Sequence, residues 1–145
     1  MECVRGERSC RHVLILCADK SGFATGKEPY EQSVQQLFAS LDRLEKILEG
    51  KTFVVGSQLT EADVRLFTTI IRFDPVYVGH FKCNIGTIRH SYPNLNRWAK
   101  SLFWGNDAFG STTDFVHIKH HYYTSHPQIN PTRIVPFGPL PNIEK

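Results

Sequence analysis

Groups that could do chemistry concentrate in two short stretches. Arg72–Asn84 reads RFDPVYVGHFKCN and sets His80 and Cys83 three residues apart. His117–His126 holds four of the seven histidines, with His117 and His121 at i, i+4. One pair from each stretch could build a tetrahedral zinc site. Nothing in the spacing brings the pairs together, however, and no metal site is expected. Cys83 could be a nucleophile if a cation or a helix N-terminus lowered its thiol pKa. It falls instead late in a predicted short helix, where the helix dipole disfavours a thiolate. Lys82 and His80 offset this only in part, and the neighbouring Phe81 indicates a buried, inert thiol. The chain has no glycine-rich phosphate loop, GxSxG, HExxH or CxxC pattern. No catalytic residue is therefore expected.

The elements that must position these groups read as helices. Val34, Leu37, Phe38, Leu41, Leu44 and Leu48 recur at i, i+3, i+4 and i+7, an apolar stripe with Gly50 just past its end. In LTEAD, Thr60 is the predicted N-cap. It accepts the Asp63 N–H, and the Asp63 carboxylate accepts the Thr60 N–H in return. Leu59 and Val64 occupy the positions of a hydrophobic staple, and Asp63 shares a face with Leu66, Phe67 and Ile70. Pro75 is expected to break or restart this helix, pushing Asp74 out of α geometry, before a short helix over Val76–Phe81. Pro93 suits the first turn of a helix over Asn94–Phe103. Gly105–Phe115 reads as a loop ending in a cap at Thr112 or Thr113, with a helix to about Tyr122. Further upstream, His12–Cys17 is predicted as one short strand.

The 145 residues fit one folding unit, and 41% hydrophobic with 21% charged residues describes a globular chain. A net charge of +3, interspersed, gives no basic stripe for nucleic acid or an anionic membrane surface. No apolar run reaches the ~20 residues of a membrane span, and Val13–Ala18 is too short for a signal-peptide core. Cys3, Cys10, Cys17 and Cys83 form no paired motif, which predicts free thiols and a cytoplasmic location. Five of the eight prolines lie in the last 19 residues. That segment cannot be a regular helix, yet Ile129, Ile134, Val135 and Phe137 predict that it lies extended along the body.

Four stretches together resemble a known family: LTEADVRLF (Leu59–Phe67), IRFDPVYVGHFKCN (Ile71–Asn84), HIKHHYYTSHPQINP (His117–Pro131) and IVPFGP (Ile134–Pro139). They are similar to the C-terminal domain of glutathione transferases of the xi class, the glutathionyl-hydroquinone reductases. Ser21–Ala24 followed by Tyr30-Glu31 matches the entry to that domain. The resemblance implies an all-α, glutathione transferase C-terminal-like helical bundle with an irregular Pro-rich C-terminal segment. It divides the chain into residues 1–20 (unmatched), 21–126 (helical domain) and 127–145 (Pro-rich tail packed on the helices).

In that family a thioredoxin-like domain binds glutathione and carries a nucleophilic cysteine in a Cys-Pro-x-Ala motif. The helical domain supplies the aromatic-substrate pocket and much of a homodimer contact. The resemblance thus implies an aromatic hydroquinone as partner, with glutathione as co-substrate of the full-length enzyme and not bound by this chain. Tyr122, Tyr123 and Tyr77 are the implied substrate contacts. Asp19 departs from the pattern, standing where the family has a pocket tyrosine. With no Cys-Pro-x-Ala in the sequence, the expectation is a truncated, inactive form. The alternative is a non-catalytic interaction module that pairs with a full-length relative.

Overall fold

The structure, a computed structural model, describes residues 13–141, 143 and 144. Cys3, Cys10 and His12 lie outside the described residues. Every regular element among the described residues is helical. In order they are α1 (13–22), α2 (Lys27–Ile47), α3 (Glu61–Arg72), a π-helical turn (Phe73–Tyr77), α4 (Val78–His80), α5 (Ile88–Ser91), α6 (Pro93–Gly105), α7 (Asp107–Gly110) and α8 (Phe115–Ser125). No helix among them is long and apolar enough to cross a membrane.

The predicted strand at His12–Cys17 is corrected: residues 13–22 are helical. A run of consecutive apolar residues fits either period, so tertiary burial decides. Leu14, Cys17, Ala18 and Ser21 are buried, at the spacing of one helical face. The stripe of α2 forms as read, with Leu37, Leu41 and Leu48 fully enclosed. Glu45 of α2 caps α6: its carboxylate accepts the Asn94 N–H (2.7 Å) and the Leu95 N–H (2.9 Å). Arg97 of α6 answers by donating to the Leu48 carbonyl at 2.9 Å, beyond the end of α2. Each helix thereby satisfies terminal groups that the other leaves open.

Pro75 does not break the chain's helical path. The Val78 N–H reaches back to the Phe73 carbonyl, five residues away, so the turn widens around the proline. A wider turn makes room for a ring that clashes in α geometry and for the missing N–H. Asp74 stays within this turn, buried. Its carboxylate accepts the Ile88 N–H (2.7 Å) and the Arg89 N–H (3.1 Å) at the start of α5.

The expected loop before α8 contains α7, whose N-cap is Asn106. The cap of α8 is Asp114, accepting the His117 N–H at 2.9 Å, and not Thr112 or Thr113. Those two hydroxyls donate back to the Ala108 and Phe109 carbonyls, so they close α7 rather than open α8. The C-terminal segment is tied down through polar bonds more than apolar burial. Lys119 donates to the Phe137 carbonyl (2.9 Å), Arg89 to the Pro141 carbonyl (2.6 Å) and Trp104 to the Ile143 carbonyl (3.0 Å). Ile143 is buried, while the Phe137 side chain is 91% exposed.

Candidate functional site

The two reactive stretches meet where the π-helical turn and α4 pack against α8. Fully buried Phe81 is the floor of an aromatic cluster. Tyr77 (5.3 Å between ring centroids), Tyr122 (5.9 Å), His126 (6.0 Å) and Phe23 (6.3 Å) surround it. Tyr122 is half-buried and meets Tyr77 edge-on at 6.0 Å. Of the three predicted contacts it alone keeps appreciable exposure, since Tyr77 and Tyr123 are buried. Burial, reinforced by the Tyr122 hydroxyl, pushes the Tyr77 phenol well above its ordinary range, so it stays protonated. The Tyr123 hydroxyl turns inward, over Gly79, where a Cβ would lie 2.7 Å from it. It has no hydrogen-bond partner of good geometry, and burial raises its pKa.

The histidines and cysteine pair differently from any zinc set. His80 Nε2 lies 2.9 Å from His126 Nδ1, with the two rings stacked. Cys83 Sγ lies 3.2 Å from Ser21 Oγ on α1. His117 and His121 are exposed on α8. The pairs separated in sequence thus face different partners, and no group of three or more potential ligands occurs among the described residues. Burial holds the His80 imidazole down at about 4, with His126 and Lys82 adding to the effect. Burial pushes the Cys83 thiol up to about 11, against the Ser21 hydrogen bond. A thiol so held supplies almost no thiolate at neutral pH. Burial raises the Asp19 carboxyl above its ordinary range, with nearby His126 opposing the shift.

Thr60 and Asp63 form a reciprocal capping box at the start of α3. Asp63 Oδ2 accepts the Thr60 N–H (3.0 Å) and hydroxyl (2.8 Å). Its Oδ1 accepts the Val54 N–H (2.8 Å) and the Trp98 indole N–H (3.1 Å). The residue is completely buried, a bonding hub between α3, α6 and the preceding loop.

A cavity of about 610 Å³ opens elsewhere, between α3 and the α7–α8 corner. Leu59, Val64, Phe67, Ile71, Phe109 and Ile118 form its apolar wall, and none of the three tyrosines lines it. Both residues of the predicted staple therefore border a cavity and remain about 40% exposed. Sequence reasoning did not single out Phe23 or the bond joining His80 to His126. No spacing rule pairs residues 46 positions apart.

Comparison with known proteins accounts for this architecture. Residues 27–101 match the family model of the glutathione S-transferase C-terminal domain. Glutathione S-transferase omega-like 2 of Schizosaccharomyces pombe is 61% identical over 127 residues, covering 86% of this chain and 41% of that protein. The glutathionyl-hydroquinone reductase PcpF of Sphingobium chlorophenolicum is 51% identical over 120 residues, covering 83% of this chain and 38% of its own. The crystal structure of the glutathione-S-transferase Xi from Phanerochaete chrysosporium superposes with a TM-score of 0.93 at 55% identity. That match covers 99% of this chain and 46% of the crystal chain. The chain thus spans less than half the length of the relatives it matches. It belongs to the glutathione S-transferases of the xi, glutathionyl-hydroquinone reductase type, and corresponds to their C-terminal helical domain.

Proposed function

We propose that this domain supplies the aromatic-substrate face of a glutathione-dependent thiol transfer and takes its nucleophile from a thioredoxin-like domain. The observation that carries this reading is half-buried Tyr122, framed by Tyr77, Phe81 and His126, while the Cys83 thiol is buried and held protonated. An aromatic ring can pack edge-on against such a frame while a phenol oxygen bonds the Tyr122 hydroxyl. In the reaction, a cysteine thiolate of the other domain attacks the sulfur of a glutathionyl-hydroquinone. The aryl C–S bond breaks, its electron pair takes a proton at the ring carbon, and a mixed disulfide with glutathione remains. A second glutathione thiolate then resolves that disulfide to glutathione disulfide. Cys17 and Cys83, the cysteines among the described residues, are buried with raised thiol pKa values, so neither supplies the first of these thiolates. The same division of labour puts glutathione on the other domain. Buried, free Cys17 and Cys83 fit a reducing, cytoplasmic setting.

The test has two arms. Purified chain mixed with glutathionyl-methylhydroquinone and glutathione is expected to stay at buffer background. Turnover near the usual enzymatic 1–1000 per second would overturn the reading. NMR titration with methylhydroquinone is expected to show binding that Tyr122→Phe weakens about tenfold, the worth of one well-made hydrogen bond.

The exposed apolar side chains Val116 (80%), Ile134 (66%) and Phe137 (91%) favour a second reading, a pairing surface for a full-length relative or a second copy. Light scattering that shows a monomer at high concentration, alone and mixed with a full-length relative, would remove it.

A further inference from the structure

His126 follows the last turn of α8 and leaves the helix, with φ −116 and ψ 74. It is half-buried at the rim of the aromatic face. Its ring contacts Phe23 edge-on at 5.3 Å and Tyr122 at 6.0 Å. Its inner nitrogen, Nδ1, is engaged with His80 Nε2 at 2.9 Å. His80 itself is buried between Phe81 and Tyr123 and cannot swing away.

A polar pair at this place is costly. Apolar side chains of similar size would pack against Phe81 without burying an imidazole, which must be hydrogen-bonded to be tolerated. What the pair provides is a fixed ring orientation. One proton occupies the bond between the two nitrogens, whichever ring carries it. In both tautomers His126 keeps Nε2 unengaged by any described residue. That nitrogen then either donates or accepts a hydrogen bond, and a phenolic hydroxyl can answer either one.

We propose that His126, oriented by His80, is a ligand-contacting residue of this face that reads a hydroxyl of the bound hydroquinone through Nε2, with His80 as its positioning residue. The inference rests on the aromatic-face reading of Tyr122 and adds a second polar contact to it. It links the two sequence stretches functionally, since the positioning residue comes from one and the contact from the other. The charged and titratable groups around the pair are Asp19 of α1, Lys82 after α4, and Tyr122 and Tyr123 of α8. Asp19 is the only acid among them.

The test compares two probes of the same shape on the intact chain by NMR titration. Methylhydroquinone carries both hydroxyls, and 1,2,4-trimethylbenzene has methyls in their place. His126→Ala is expected to weaken methylhydroquinone about tenfold, the loss of one good hydrogen bond, and trimethylbenzene no more than about twofold. His80→Phe should reproduce the same selective loss with His126 still present. In the unmutated chain the His126 Nε2 resonance should move on saturation with methylhydroquinone but not with trimethylbenzene. That signature keeps the test valid if a His80 variant fails to fold. Equal weakening of both probes, or an unmoved resonance, would show that His126 only packs and overturn the proposal. Methylhydroquinone binding that depends on Tyr122 but ignores His126→Ala would overturn this inference alone. Absence of methylhydroquinone binding to the unmutated chain would overturn the aromatic-face reading and this inference together.

Discussion

Replacing Asp63 with alanine should be among the most damaging single changes in the domain. The carboxylate is completely buried and accepts four hydrogen bonds. Two of its donors, the Val54 N–H and the Trp98 indole N–H, belong to residues no more than 2% exposed. Water cannot replace the carboxylate there without opening the core. Each orphaned buried donor costs about 1–3 kcal/mol, and losing the cap of α3 adds about 1 kcal/mol. Asp63→Ala should therefore lose about 3–7 kcal/mol, against a total of roughly 5–15 kcal/mol for a domain. Asp63→Asn keeps one oxygen for Val54 and Trp98 but turns an amide N–H toward the Thr60 N–H. It should be intermediate. Thr60→Val removes the N-cap oxygen and one hydroxyl donor but leaves the other three bonds to the carboxylate, so it should cost about 1–2 kcal/mol. Urea unfolding followed by circular dichroism and by Trp98 fluorescence measures all three. A loss below about 1 kcal/mol for Asp63→Ala would refute the orphaned-donor argument.

Three further outcomes follow from the packing and protonation of the core. Gly22→Ala places a Cβ 2.2 Å from the buried Phe81 ring, so it should destabilise by about 1–3 kcal/mol in a thermal melt. His80 is held at about 4, below its unfolded value of about 6.5, so it contributes stability above pH ~6.5 that is lost progressively as pH falls toward 4. Urea midpoints at pH 7 and 4.5 should show a loss of up to about 3 kcal/mol that His80→Phe diminishes, and an undiminished loss would reassign it. Cys83 should resist iodoacetamide in the native chain and label in urea, as read by peptide mass spectrometry; native labelling at the rate of a free thiol would contradict its burial.

The long amphipathic elements were legible because their apolar spacing and end signals agreed. The stripe of α2, the Thr60–Asp63 box and Pro93 at the start of α6 each state a local rule that packing did not override. The strand predicted at His12–Cys17 was a misreading, because the unbroken apolar run there carries no period. At Pro75 the α-helix gives way and restarts as read, but through a π turn that the sequence does not announce. At the site, Cys83 could be judged inert from its neighbours alone. Tyr122 came from family resemblance, while the roles of His126 and Glu45 depend on contacts across more than 45 positions that no local pattern encodes.

All five residues of the π-helical turn, Phe73 to Tyr77, are buried. A surface helix leaves part of every turn to solvent, so this one is an axle, enclosed by α3, α4, α5 and α8. Its extra residue per turn also resets the angular phase between α3 and α4. That reset aims His80 and Phe81 at α8 even though α3 directs its own apolar face toward α6. Shortening the turn by one residue would rotate everything after it by about 100°. The aromatic face would then be dismantled with every one of its side chains still in the sequence.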